Sequence, residues 1–136
     1  ITTYRKLAEQ ALAKMGLGAP WTAGVALPGG DFAVADVGKL RAKLVADYPF
    51  LDDKWAARLI RAYGTEAWDV LGAAKTAEDL GPDFGATLTG AELRWMMVRE
   101  YAVAGDDALW RRTKLGLRLS ETERAAVDTW MKENAA

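Results

Sequence analysis

Apolar residues in this chain recur every three to four positions in short runs, and each run is closed by glycine or proline. That pattern admits helices and little else, because a strand would need sustained two-residue alternation and none occurs. Over residues 3–16, Tyr4, Leu7, Ala8, Ala11, Leu12 and Met15 make one stripe, with Gly16 and Gly18 as stop signals. A second stripe (Val37, Leu40, Leu44, Val45, Tyr48) ends at Pro49, and a third (Trp55, Ala56, Leu59, Ile60, Tyr63) ends at Gly64. Thr65 is placed to cap a further helix carrying Ala67, Val70, Leu71 and Ala74. Thr89 with Glu92, and Ser120 with Glu123, both have capping-box spacing. Between them, Asp106 or Asp107 caps a helix running through Trp110 and Arg112 to Gly116, whose missing Cβ suits a helix end. The fold class is therefore all-α, a compact bundle of about six to seven helices with two loops containing glycine and proline. Pro20, Gly24, Pro28, Gly29 and Gly30 interrupt the pattern in one loop, and Gly81, Pro82 and Gly85 in the other.

At 136 residues the chain holds one sizeable core. The organisation expected is a leading helix over 1–18, a linker over 19–35 and a helical domain over 36–136. The chain begins at Ile1 without methionine and shows no signal-peptide pattern, so an excised piece of a larger protein is the expectation. No apolar run approaches the roughly 18 residues of a membrane helix.

The chain has neither cysteine nor histidine. Disulfides, thiolate metal sites and every nucleophile that relies on a histidine base are excluded. With 18 basic and 19 acidic side chains the net charge is -1, so no global field draws in nucleic acid or anionic lipid. The carboxylate pairs Asp52–Asp53 and Asp106–Asp107 stand at helix starts, where capping explains them without catalysis. Leu27-Pro28-Gly29-Gly30-Asp31 has the look of a phosphate cradle but lacks a preceding strand, and reads as a tight turn. Of six tryptophans, Trp55, Trp68, Trp95, Trp110 and Trp130 fall on or beside apolar stripes and are expected in the core. Trp21 stands alone in the linker, where a tryptophan usually docks on something. On a regular helix Arg111, Lys114 and Arg118 share one face, a candidate surface for an anion or an acidic partner. The competing reading is pairing with acids such as Glu92 or Glu100 on a neighbouring helix. Arg112 lies off that face and is expected to reach a carboxylate on an adjacent helix.

The run Asp106-Asp107-Ala108-Leu109-Trp110-Arg111-Arg112-Thr113-Lys114-Leu115-Gly116-Leu117, with Leu88-Thr89 and Ala91-Glu92 before it, resembles the C-terminal domain of FAD-dependent aerobic glycerol-3-phosphate dehydrogenases. Leu27-Pro28-Gly29-Gly30 and Tyr63-Gly64 extend the likeness over nearly the whole chain. The opening Thr2-Thr3-Tyr4-Arg5-Lys6-Leu7-Ala8-Glu9 is similar to the last helix of the family's FAD domain. The resemblance implies an enzyme that oxidises sn-glycerol 3-phosphate to dihydroxyacetone phosphate and passes electrons through FAD to quinone. It implies a bacterial, cytoplasmic protein peripheral to the inner membrane, since no calcium-binding EF-hand is present. It places Thr2 and Thr3 near the flavin, and implies no catalytic or metal-binding residue and no FAD in this piece alone. The partners it implies are the parent FAD domain, a homo-oligomer, and a membrane touched only through the parent, with no nucleic acid. In the parent the stripe of residues 1–18 would pack on the flavin domain; in this chain it is expected to cover itself against the bundle or a second copy. The alternative is a free-standing helical interaction module reading a partner with its basic helix. A nucleic-acid module would need more positive charge.

Overall fold

A computed structural model describes residues 3–135. Among them the regular backbone is helical, as α1 (Tyr4–Lys14), α2 (Val37–Asp47), α3 (Asp53–Tyr63), α4 (Ala67–Leu71), α5 (Gly90–Arg99) and α6 (Glu121–Glu133). A π-helical turn, Asp107–Arg112, stands between α5 and α6, and 3-10 turns occur at Val34–Asp36, Gly64–Glu66, Glu78–Leu80 and Leu115–Leu117. No strand occurs among the described residues beyond one isolated bridge between Asp83 and Thr89. The chain is all-α.

Several boundaries follow from local chemistry. Asp52 is extended and its carboxylate accepts the Trp55 N–H at 2.7 Å, which satisfies an amide left free at the start of α3. Ser120 and Glu123 form the complete capping box of α6. The other expected caps differ. Thr65 lies in the 3-10 turn before α4 and its hydroxyl donates to Asp31 instead, tying the first loop to the bundle. Thr89 precedes α5 in extended conformation without a side-chain cap, because Glu92 is drawn into the interior. The helix expected to reach Gly116 ends at Arg112. Gly116 sits in a 3-10 turn, and its missing Cβ makes room for the Trp110 ring, which a Cβ would meet at 2.6 Å.

Two apolar clusters form the interior. One gathers Leu44, Leu51, Ala56, Leu59, Ile60 and Leu71 from α2 to α4, and closes on Leu80. The other gathers Leu88, Leu93, Met96, Leu109, Val127 and Met131 from α5 to α6. The five tryptophans expected inside are half-buried at the rims of these clusters, since a ring of that size is rarely enclosed completely. Their outer faces meet polar groups: the Trp68 indole donates to Asp47 at 2.7 Å, and Arg99 and Arg94 stack on Trp95 and Trp130.

Two glycine motifs far apart in sequence meet each other. The Thr65 N–H donates to the Gly29 carbonyl at 3.1 Å. A Cβ on Gly64 would lie 1.9 Å from the Gly29 oxygen, and one on Gly29 would lie 2.1 Å from the Tyr63 oxygen. Both glycines have positive φ, so the backbones cross only where side chains are missing.

The bundle does not cover α1, contrary to one arm of the expectation. None of its residues is buried, and Tyr4, Leu7, Leu12 and Met15 remain exposed. Its anchor is polar: Arg5 donates to the Thr22 hydroxyl at 3.0 Å, and Glu9 accepts the Thr22 N–H at 2.9 Å. The following loop folds alongside, so the stripe opens into an apolar cleft of about 400 Å³ walled by Tyr4, Leu12, Leu17, Trp21, Val25 and Leu27.

Candidate functional site

Among the described residues no group of three or more acidic, histidine or cysteine side chains could hold a metal ion. One carboxylate of each pair, Asp52 and Asp107, serves the backbone. Asp107 accepts the Val103 and Ala104 amides at 2.9 and 3.1 Å and pairs with Arg111 at 2.8 Å. Those two amides, with smaller help from Arg111, hold its carboxyl below the usual range. Asp106 makes no side-chain cap. The turn at residues 27–30 closes on itself, Gly30 N–H to Leu27 C=O at 2.8 Å, and Gly29 faces the Tyr63 carbonyl rather than open space. It offers no ring of free amides to a cofactor phosphate.

Among the described residues the one strongly buried carboxylate lies between the two apolar clusters. Glu92 on α5 is 1% exposed, and its carboxylate receives Arg58 of α3 through both oxygens at 2.7 and 2.6 Å. The Tyr63 hydroxyl donates to the same carboxylate at 2.8 Å. Arg58 further donates to the Thr87 hydroxyl and carbonyl at 2.7 and 2.6 Å, pinning a loop in which Ala86 and Thr87 both have positive φ. Burial opposes the charge on Arg58, but the hydrogen bonds and charge of Glu92 outweigh it and raise its pKa further. Burial first, then the Glu92 charge, pushes the Tyr63 phenol far above its ordinary range. Every strong donor and acceptor is occupied, so the cluster is a tie between α3, α5 and the 85–87 loop, with no open position for a reactant.

Beside it lies a groove of about 640 Å³ between α3 and residues 112–118. Lys54, Arg58, Arg61, Arg112, Lys114 and Arg118 line it, and no carboxylate does. The α3 members stand at i, i+4 and i+7, on one side of the helix. Arg112 donates to the Glu100 carbonyl at 3.2 and 2.6 Å and lies 3.8 Å from its carboxylate, so the expected tie to a neighbouring helix exists, mainly through backbone oxygen.

The expected basic face is rearranged. Arg111, Lys114 and Arg118 share no helical face, because the helix stops at Arg112 and Lys114 takes a left-handed conformation with φ 60°. Arg111 pairs along its own turn with Asp107 and does not line the groove, whereas Lys114 and Arg118 do. Lys54 and Arg61, which sequence reasoning passed over, complete it; their spacing around Arg58 was the available signal. Thr2 lies outside the described residues. Thr3 is exposed at the start of α1 and makes no side-chain cap.

Residues 20–135 match the family model described as the C-terminal domain of alpha-glycerophosphate oxidase. The chain is 42% identical over 138 residues to the aerobic glycerol-3-phosphate dehydrogenase of Escherichia coli (strain K12), a match covering 98% of this chain and 27% of that protein. It is 38% identical to a glycerol-3-phosphate dehydrogenase of Pseudomonas aeruginosa, over 97% of this chain and 27% of the relative. It is also 38% identical to the D-erythritol 1-phosphate dehydrogenase of Brucella abortus, over 96% of this chain and 27% of the relative. The chain thus spans about a quarter of the length of the curated relatives it matches.

Proposed function

The chain belongs to the family of C-terminal domains of alpha-glycerophosphate oxidase, and from that premise we propose that it is the helical, non-catalytic part of an FAD-dependent glycerol-3-phosphate dehydrogenase. The complete enzyme oxidises sn-glycerol 3-phosphate to dihydroxyacetone phosphate, and its FAD hands the electrons to quinone at the cytoplasmic face of a bacterial inner membrane. FAD and the reacting groups belong to the remainder of the enzyme, and this chain brings only Thr2 and Thr3 towards the flavin. Residues 1–18 complete the FAD domain, 19–35 link the two parts, and 36–136 form the appended domain.

The observation that carries the reading is the open apolar face of α1 and its loop, with Tyr4, Leu7, Leu12, Met15 and Trp21 exposed together, Trp21 by 70%. An isolated amphipathic helix is marginal in water, and an apolar patch of this kind marks a contact surface. The FAD domain is its natural cover. Support also comes from the relatives: two enzymes named for different phosphorylated polyols match this chain at 38% each, as expected of a part that does not select substrate.

The test has two arms. The purified chain, incubated with FAD and glycerol 3-phosphate, should elute colourless and leave an electron-accepting dye unreduced; a yellow protein that reduces the dye refutes the reading. In the complete enzyme Leu12→Glu should lower flavin retention, and unchanged flavin content would show that α1 does not pack on the FAD domain.

A further inference from the structure

We propose that the cationic groove between α3 and residues 112–118 is a binding site for a soluble phosphate ester, a reading independent of the redox assignment. The first argument is charge. Of the six cations lining the groove, Arg58 is paired with Glu92, and Arg112 lies against Glu100. Lys54, Arg61, Lys114 and Arg118 have no ion-pair partner among the described residues, the Lys114 ammonium donating instead to the Trp110 carbonyl. Elsewhere some basic side chains sit beside acids, as Lys39 does with Asp36, Arg41 with Asp53 and Lys132 with Asp128, while others such as Lys75, Arg94 and Arg124 stand without one but are not gathered in one concavity. Four unpaired cations in one concavity of a chain with net charge -1 are a local excess. A concave wall of like charge repels itself and focuses its field on whatever anion enters.

The second argument is the backbone. Thr113 is right-handed and Lys114 left-handed, and successive residues in those two conformations turn their amides to one side as an anion nest. The Thr113 N–H is taken by the Ala108 carbonyl at 3.1 Å and the Leu115 N–H reaches the Thr113 hydroxyl at a long 3.2 Å, while the Lys114 N–H makes no hydrogen bond to the described protein. The Lys114 amide is thus a free donor on the segment that lines the groove.

The third argument is shape. A volume of about 640 Å³ suits a small organic ligand. Ala57, Ala62 and Leu117 supply apolar surface for a carbon skeleton between the charges. Arginine forks and a backbone nest match the several oxygens of a phosphate better than the two of a carboxylate. The concavity fits a soluble ester rather than a flat bilayer.

The test is titration of the purified chain with inorganic pyrophosphate at constant ionic strength, followed by calorimetry and by amide NMR. Saturable binding that moves the Lys114 and Leu115 amide signals is expected. Arg61→Gln and Arg118→Gln should each weaken it roughly tenfold, the loss of one charge-assisted contact, and Arg111→Gln should leave it within about twofold. Both groove arginines are exposed and unpaired, so their thermal melts should match the parent chain. Absence of saturation at millimolar pyrophosphate overturns the proposal, as does equal weakening by Arg111→Gln. So does capture by phosphatidylglycerol vesicles without pyrophosphate binding, which would assign the groove to a lipid surface.

Discussion

Replacing Arg58 with methionine tests whether the buried pair joins the two halves of the bundle. Methionine fills the space of the stem and removes the guanidinium, leaving the Glu92 carboxylate, 1% exposed, with only the Tyr63 hydroxyl at 2.8 Å. It also frees the Thr87 carbonyl and hydroxyl, so the two left-handed residues of that loop lose their brace. Breaking a buried pair from one side costs about 3–5 kcal/mol. The Arg58 side chain is 17% exposed, so water can reach the vacated end, and the lower limit of about 3 kcal/mol applies. In a domain of this size that is a fall in Tm of about 10 °C. Urea unfolding followed by helix circular dichroism measures it directly. Arg58→Met/Glu92→Gln should recover at least half the loss, because the amide still accepts from Tyr63 and no charge is left stranded. A loss below about 1 kcal/mol for Arg58→Met would place the pair with ordinary surface ion pairs. A double variant less stable than the single would show that the orphaned charge is not the cause; either result refutes the reasoning.

Two further outcomes follow from the same packing. The Tyr63 phenol has its pKa raised by burial and by Glu92, so its stabilising contribution is complete below the unfolded tyrosine value of about 10 and is lost as pH rises beyond it; Tyr63→Phe should flatten the alkaline limb of urea midpoint against pH, and an unchanged limb would refute the assignment. Gly64→Ala should cost at least about 2 kcal/mol more than Gly72→Ala, since both have positive φ but only at Gly64 would a Cβ strike backbone, 1.9 Å from the Gly29 oxygen; equal melting temperatures for the two variants would show that the glycine crossing yields freely.

Much of the chain was legible in sequence. The helical period, the caps at Asp52 and Ser120, and the stop at Gly64 all act within one turn of backbone, whereas the helix expected to run on through Ala74 stops at Leu71. The run from Asp106 to Leu117 was likewise enough to place the chain in its family, a placement the matches then bore out. Three features depended on the tertiary structure. Glu92 stands three residues after Thr89, which is local grammar for a cap, yet its carboxylate goes to Arg58, 34 residues away. The interior imposes that choice: a buried carboxylate without a cation costs far more than an unmade cap at a helix end. The basic face expected of Arg111, Lys114 and Arg118 assumed a regular helix, and the π turn with a left-handed Lys114 divided it. Lys54 and Arg61 meet Lys114 and Arg118 only because α3 packs beside residues 112–118. Periodicity shows which residues share one helix face; which faces meet is decided by burial across the whole chain, and no local window contains that information.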